Sequence, residues 1–532
     1  MDNASSRSFR SLPKHQIVLT MVGVLLAMFM GSLDQTIVDT ALPRISVDLN
    51  SSHYTWIVTV YMIASAIAVP IVGKLTDMYG RKRFYLGGII IFTLASIFSG
   101  LSRTMAELII FRGIQGIGAG AMMANAFIVI SDIFPPAERG KYQGLISGVF
   151  GMSAIIGPTL GGYITDAFSW HWIFYINIPL GALVIILFIL FFPDIRPTNK
   201  RNKIDYAGMA TMSLGVMSLL LALSWAGGQY PWMSFPVMGL LGFFLLMLFA
   251  FLYIESRSSN PLIPLELFRN RIVPVAELSV FFTAFGMFAA ITFVPLFFQG
   301  VLGATATISG GFLTPMMLGQ VTGSFTSGQL LSRAGGHYRV QGFAGLFIMA
   351  AGVFLLTRMS PSTSYGVAIV NIVMTGFGLG MTMPLYTIAV QNAVPYRLLG
   401  SATSTVPFIR SIGASVGLAI FGSTLNSKFF ADFVTKLPQA VQDILPAAKM
   451  EELAHHPQML VDAEALADIK DLLMQSSPQG AQLFEQLQQT LRSAVSSAIQ
   501  QIFVIAFIVV LIAIAAHFFI KEIPLRKDHG SD

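Results

Sequence analysis

The stretch Gly73-Lys-Leu-Thr-Asp-Met-Tyr-Gly80-Arg-Lys-Arg83 has a counterpart later in the chain, Gly328-Gln-Leu-Leu-Ser-Arg-Ala-Gly335-Gly-His-Tyr-Arg339. Each sets two glycines seven positions apart, follows an apolar run and closes on arginine. Each also stands after the second apolar segment of a block of six. A second pair, Gln115-Gly-Ile-Gly-Ala-Gly120 and Thr375-Gly-Phe-Gly-Leu-Gly380, recurs in the fourth segment of each block. The chain therefore reads as two equivalent six-segment bundles, with two further segments between them.

A helix needs about 20 apolar residues to cross a bilayer. Such stretches recur at about 16–40, 54–72, 84–101, 107–134, 142–164, 172–192, 206–225, 235–254, 273–299, 309–331, 340–356, 365–390, 401–425 and 502–520, which predicts fourteen spans. Of the 532 residues 54% are apolar and only 11% charged, which excludes a soluble globular chain. With the N-terminus inside, 22 of the 32 Lys and Arg fall in cytoplasmic loops, among them Lys14, Lys74, Arg139, Lys203, Arg257, Arg397, Lys521 and Arg526. The bias predicts that both termini are cytoplasmic, and it accounts for the net charge of +6 without a nucleic-acid partner. Cysteine is absent, so disulfides, thiolate metal sites and thiol catalysis are excluded.

The expected architecture is an all-α polytopic membrane protein. It divides into a six-helix bundle (1–195), two inserted helices (196–271), helices 9–13 of a second bundle (272–425), an outside loop (426–500), and helix 14 with a cytoplasmic tail (501–532). The outside loop holds Gln-rich amphipathic stretches broken at Pro438, Pro446, Pro457 and Pro478, which predicts an extracytoplasmic helical hairpin. It reads as a solvated cap, with a gate or partner surface as the alternative. Duplicated six-helix halves are the plan of secondary transporters that bind substrate at the bilayer midplane.

On these residues the chain resembles the major facilitator superfamily, and within it the fourteen-helix drug:proton antiporter family of bacterial multidrug exporters. Residues 73–83, with Gly73, Asp77, Gly80 and Arg81, are similar to the superfamily's loop signature between helices 2 and 3. Leu108-Ile-Ile-Phe-Arg112-Gly-Ile-Gln-Gly116 resembles the helix 4 signature with its buried arginine. Gly151-Met-Ser-Ala-Ile-Ile-Gly157-Pro158-Thr-Leu-Gly161-Gly162 resembles the helix 5 signature of exporters, and 33–43 that of helix 1 in the fourteen-helix subfamily, with Asp39 and Thr40 where Asn and Val are common. The resemblance implies a conformational latch at Gly73, Asp77, Gly80 and Arg81, and a hinge or proton seal at the helix 5 motif, which the spacing alone would assign to close helix packing.

Asp34 stands two thirds of the way through a span, where an isolated carboxylate is costly unless neutralised, paired or facing water, and is a functional candidate for that reason. Burial disfavours its charged form and an approaching cation favours it, as alternating occupancy by a proton and a cationic substrate requires. Arg112 keeps its charge and must find an acceptor, so it is assigned with Asp34 to proton coupling. Glu277, six residues after Arg271, is either an exposed, paired group at the cytoplasmic edge or a second proton or cation site, and Asp39 is a weaker form of the same proposal. Arg410 is expected to have a structural partner. The Asp77 carboxylate can dock on a helix N-terminus or an arginine of the opposite half.

Trp56, Tyr61, Asn125, Gln299, Gln320 and Asn371 are candidate polar lining of a substrate cavity. Phe (43) and Met (27) could supply a soft, repackable wall for flat lipophilic cations. Gly73-Lys74-Leu75 and Gly140-Lys141-Tyr142 lack the spacing of a phosphate loop, and neither His-Glu-x-x-His nor Gly-x-Ser-x-Gly occurs. The expectation is therefore a non-enzymatic, proton-coupled exporter without cofactor or metal, acting as a monomer in the bacterial cytoplasmic membrane on small lipophilic drugs, with lipid as its other partner. Its rivals are an exporter of one lipid or metabolite, and a non-transporting membrane scaffold.

Overall fold

The computed structural model describes residues 13–51, 53–194, 203–304, 313–333, 337–455 and 463–525. Arg7, Arg10, Arg196, Lys200, Arg201, Gly335, Arg526 and Lys527 lie outside them. Among the described residues there is no strand. The first block comprises α1 (Lys14–Asp48), α2 (Thr55–Tyr79), α3 (Arg81–Gly100), α4 (Met105–Ile133), α5 (Pro136–Ala167) and a sixth pass made of α6 (Trp172–Tyr175) and α7 (Asn177–Phe191). Then come α8 (Tyr206–Trp225) and α9 (Phe235–Arg257). The second block comprises α10 (Ile272–Leu296), continued by a π-helical turn Phe297–Val301, then α11 (Leu313–Arg333), α12 (Tyr338–Thr357), α13 (Tyr365–Ala393) and α14 (Leu399–Lys436). After the short α15 (Gln439–Gln442), α16 (Ala447–His455) and α17 (Ala463–Ser476), the block closes with α18 (Gly480–His517).

Thirteen helices among the described residues are long and apolar enough to cross a membrane. The span expected at 309–331 corresponds to α11, which is not among them. Its Gln320, Ser324 and Ser327 are buried, and the Ser324 hydroxyl donates to the Gly380 carbonyl of α13 at 2.9 Å. A helix enclosed by α5 and α13 needs little lipid-facing apolar surface, so its polar residues are met by protein.

Hydrogen bonds tie alternate helix ends together. Gln16 and Lys82 donate to the Phe191 and Phe192 carbonyls at the end of α7, both at 2.8 Å, and the Tyr338 hydroxyl donates to the Lys521 carbonyl at 2.9 Å. These contacts gather the basic loops at one end of the bundle, the basic end. At the opposite end Tyr175 donates to the Gly100 carbonyl at 2.6 Å and Trp232 to the Ser423 hydroxyl at 2.9 Å.

Helices α14 and α18 each have 38 residues, about 57 Å of helix against a hydrocarbon core of about 30 Å. The boundaries expected at 425/426 and 500/501 thus fall inside unbroken helices. Beyond the bundle the two extensions enclose Phe429, Phe433, Leu437, Val441, Leu473 and Leu487 in a core continuous with that of the second block. Helices α8 and α9 present Phe235, Phe249 and Leu246 outward, as lipid contact requires, while Met212, Val216 and Leu220 pack on Ile63, Ala66 and Val69 of the first block and its neighbours.

Candidate functional site

In the half of the first block farther from the basic end, three polar side chains close on Asp34. It lies twenty residues, or about 30 Å, along α1 from Lys14 and is fully buried. Arg112 of α4 reaches it with Nη1 at 2.6 Å from Oδ2. The same Nη1 donates to Gln115 Oε1 at 2.8 Å, and Gln115 Nε2 donates to Asp34 Oδ1 at 2.8 Å. Asn177, at the start of α7, donates Nδ2 to Asp34 Oδ1 at 2.9 Å and to the Ser96 hydroxyl at 3.0 Å.

Both Asp34 oxygens are therefore met by N–H donors, the arrangement that an ionised carboxylate needs away from water. Gln115 follows Arg112 by three residues and so shares its helical face. The guanidinium lies over the Tyr61 ring at 4.1 Å, and the Tyr61 hydroxyl donates to the Gly31 carbonyl at 3.3 Å. Tyr61, expected to line a cavity, is thus part of this cluster. Ile37, Ile57, Leu108, Trp170, Ile173 and Phe174 pack as an apolar layer around it. Asp39 is exposed on α1 and outside these bonds.

A second polar group joins the halves at the basic end. Asp77, two residues before the end of α2, pairs through Oδ1 with Arg81 Nη1 at 2.5 Å. Its Oδ2 accepts from the Ser401 backbone N–H at 2.9 Å and from the Ser401 hydroxyl at 3.3 Å. Ser401 is the third residue of α14, so the carboxylate caps free N–H groups at the positive end of that helix's dipole. Gly80 has φ of 98°, which lets the chain turn between α2 and α3 and return Arg81 to Asp77. Arg81 Nε also binds Asp132 Oδ2 at 2.8 Å, and the Tyr396 hydroxyl donates to Asp132 Oδ1 at 3.1 Å. Arg139 Nη1 donates to Gln391 Oε1 at 3.2 Å. Gly140 and Gly328 meet backbone to backbone, and Gly73 lies against Ser404 and Gly400.

The helix 5 motif faces two ways. Gly157 and Gly161 lie against Thr36, Thr40 and Ile37 of α1, where Thr36 donates to the Ser153 carbonyl at 3.0 Å and Ser32 and Ser153 hydroxyls meet at 2.6 Å. Gly151 faces Met317 and Val321 of α11, in the other half; Pro158 lies within α5, and Gly162 meets open space. Helix α5 therefore touches the Asp34 helix on one side and the second block on the other.

Glu277 departs from its exposed, paired alternative: it is buried, in contact with the Thr405 hydroxyl through Oε1, and its Oε2 has no hydrogen-bond partner among the described residues. The loop before it folds under the bundle, so that Ile272 and Val273, one and two residues after Arg271, are already buried. Arg410 makes no ion pair among the described residues; Glu277 is the charge it faces.

The other lining candidates are dispersed. Trp56 meets Trp225 edge to face at 6.3 Å, at the inserted helices. Asn125 donates to the Ala121 carbonyl and Gln320 to Met383 Sδ, each leaving its amide oxygen unpartnered. Asn371 donates to the Leu355 carbonyl at 3.4 Å, and Gln299 lies half-buried in the π-helical turn.

Residues 24–205 and 207–418 match the sequence profile described as Major Facilitator Superfamily. The chain belongs to the major facilitator superfamily. Among curated proteins this facilitator is 37% identical to the multidrug transporter protein MdtP of Bacillus subtilis over 517 residues, covering 97% of this chain and 95% of the relative. It is 35% identical to multidrug resistance protein 3 of the same organism, covering 95% of each. The crystal structure of the human organic anion transporter MFSD10 superposes with a TM-score of 0.60 at 13% identity, over 94% of this chain and all of that one, a likeness of fold. The protein is accordingly a multi-pass membrane transporter of a superfamily that is in general non-enzymatic.

Proposed function

We propose that this facilitator is a proton-coupled multidrug antiporter that exports lipophilic, chiefly cationic compounds from the bacterial cytoplasm by alternating access. The observation that carries the reading is the enclosed Asp34 carboxylate, held by Arg112, Gln115 and Asn177 in an otherwise apolar layer. Names of full-length relatives as multidrug transporters support the substrate class. Resting ion-paired and exchanging that pairing for a proton is what coupling requires of a membrane carboxylate. The absence of a phosphate-loop sequence leaves an ion gradient as the energy source.

The basic end corresponds to the cytoplasmic side, with α11 as the fourteenth span. The Asp77, Asp132 and Arg139 contacts then close the cytoplasmic side, and the two halves rock about α5 and α11 to open it. In this cycle Gly73, Asp77, Gly80 and Arg81 hold the closed state and the α5 glycines form the sliding surface.

The test is ethidium export from proteoliposomes under an imposed pH gradient, comparing the parent with Asp34→Asn. Export by the parent, abolished by the substitution with dye binding retained, supports antiport through Asp34. A folded, inserted parent that exports no cationic dye points to a narrow-substrate exporter.

A further inference from the structure

Asp34 and Glu277, buried carboxyls in opposite halves, are met by opposite kinds of partner. Asp34 receives N–H donors on both oxygens. Among the described residues the hydrogen-bond partner of Glu277 is the Thr405 hydroxyl, and the hydrogens there can be counted. Thr405 Oγ1 lies within hydrogen-bond distance of both Glu277 Oε1 and the Ala402 carbonyl, the latter at 2.8 Å. A hydroxyl owns one hydrogen, and the Ala402 carbonyl can only accept. When Thr405 bonds back along its own helix, the second hydrogen must come from Glu277. The other carboxyl oxygen, Oε2, is buried without a partner, which an acid tolerates far better than a carboxylate, whose burial uncompensated costs several kcal/mol.

The surroundings agree from each side. On α14 the charged group is Arg410, five residues after Thr405, close enough to act on Glu277 but forming no ion pair with it. On α13 and α18 the titratable groups are Tyr386 and His517, which bond to each other at 3.1 Å, while His517 Nε2 meets the Arg339 carbonyl at 2.9 Å.

Resting on the antiport reading above, we propose that Glu277 is a second proton-carrying site, loaded in this conformation while Asp34 is ionised, so that each cycle moves two protons against one monovalent cation. Glu277 lies six residues from the basic end of its helix. When the contacts at that end release, water reaches the carboxyl, Arg410 stabilises its charged form, and the O–H proton leaves to that side. A proton delivered by each half gives a net inward movement of one positive charge per cation exported. Single-site exchange at Asp34 would be electroneutral.

The experiment uses the full chain in proteoliposomes with tetraphenylphosphonium as the probe. At equal pH, a potassium-diffusion potential of about 60 mV, worth tenfold for one charge, is expected to drive about tenfold accumulation. At zero potential, a gradient of one pH unit is expected to drive about a hundredfold, where single coupling gives about tenfold. Glu277→Gln is expected to abolish the response to potential. Infrared spectra of the purified protein read the same site without transport: the parent is expected to show a protonated-carboxyl C=O stretch that Glu277→Gln lacks. A parent that exports under the pH gradient yet ignores potential overturns the second site and leaves antiport standing. A variant that keeps the potential response, or the infrared band, overturns the assignment to Glu277. A parent driven by neither gradient refutes the antiport reading itself.

Discussion

Replacing Asp77 by Asn preserves the shape of the side chain and removes the charge that joins α2 to α14. Three interactions weaken together: the ion pair with Arg81, the charge-assisted bond from the Ser401 N–H, and the attraction between the carboxylate and the N-terminus of α14. A hydrogen bond to a charged group is worth about 1.5–3 kcal/mol against about 0.5–1.5 for a neutral one. A helix terminus in a partly buried setting adds up to about 2 kcal/mol. Arg81 keeps Asp132, which recovers part of the loss. A net cost of about 1.5–2.5 kcal/mol to the closed basic end follows, a shift of about 10- to 70-fold in its population. Because the chain has no cysteine, spin labels can be placed at Glu138→Cys and Ser332→Cys without removing native thiols. Both positions are exposed, on α5 and α11 beside the Gly140–Gly328 contact. Pulsed dipolar spectroscopy is expected to show a short distance in the parent and a marked gain of a longer one in Asp77→Asn. An unchanged distribution would refute the latch, since the bonds to Ser401 would then contribute nothing to closure.

Other expected outcomes rest on single contacts. Arg112→Lys keeps the charge but loses the planar guanidinium that lies over Tyr61 while its Nη1 donates to both Asp34 and Gln115, so gradient-driven dye export is expected to fall at least tenfold with unaltered insertion; wild-type rates would show that charge alone suffices. Asn177→Ala removes one of the donors to Asp34, a loss of about 1.5–3 kcal/mol, expected as a lower melting temperature in detergent and an export rate whose pH dependence moves; an unmoved profile would make Asn177 merely structural. Gly157→Leu drives a side chain into Thr36, an overpacking cost of about 1–3 kcal/mol, and is expected to slow export more than dye binding. Leu487→Ala in the extension beyond the bundle opens a fully buried site and is expected to cost about 2–5 kcal/mol, read as a drop in melting temperature.

The sequence made most of the fold legible because apolar runs of membrane length are long and redundant signals, and the paired glycine loops exposed the duplication. The helix expected at 309–331 is present as α11 but is less apolar than the thirteen others of membrane length, since a helix packed between α5 and α13 need not be greasy. Asp34 and Arg112 stood out because a charge within a span is rare. Gln115 and Asn177 did not, because a neutral amide in an apolar helix is unremarkable until its partner is known; Gln115's three-residue spacing from Arg112 was the one available clue. Glu277 was harder still, because six residues from Arg271 is a short distance along the chain, yet the preceding loop folds under the bundle and buries it. The docking of Asp77 on Ser401 joins positions 324 residues apart, beyond any local pattern.

The central claim is that proton movement and drug movement are one event, and driving the cycle backwards tests it most directly. Proteoliposomes loaded with a pH-sensitive dye, held at equal pH and clamped at zero potential, receive a steep outward gradient of ethidium. The account predicts that dye flux pulls protons across the membrane in the opposite direction, at a fixed ratio, and that Asp34→Asn abolishes the proton signal. Ethidium flux through the parent with no accompanying proton movement would contradict it.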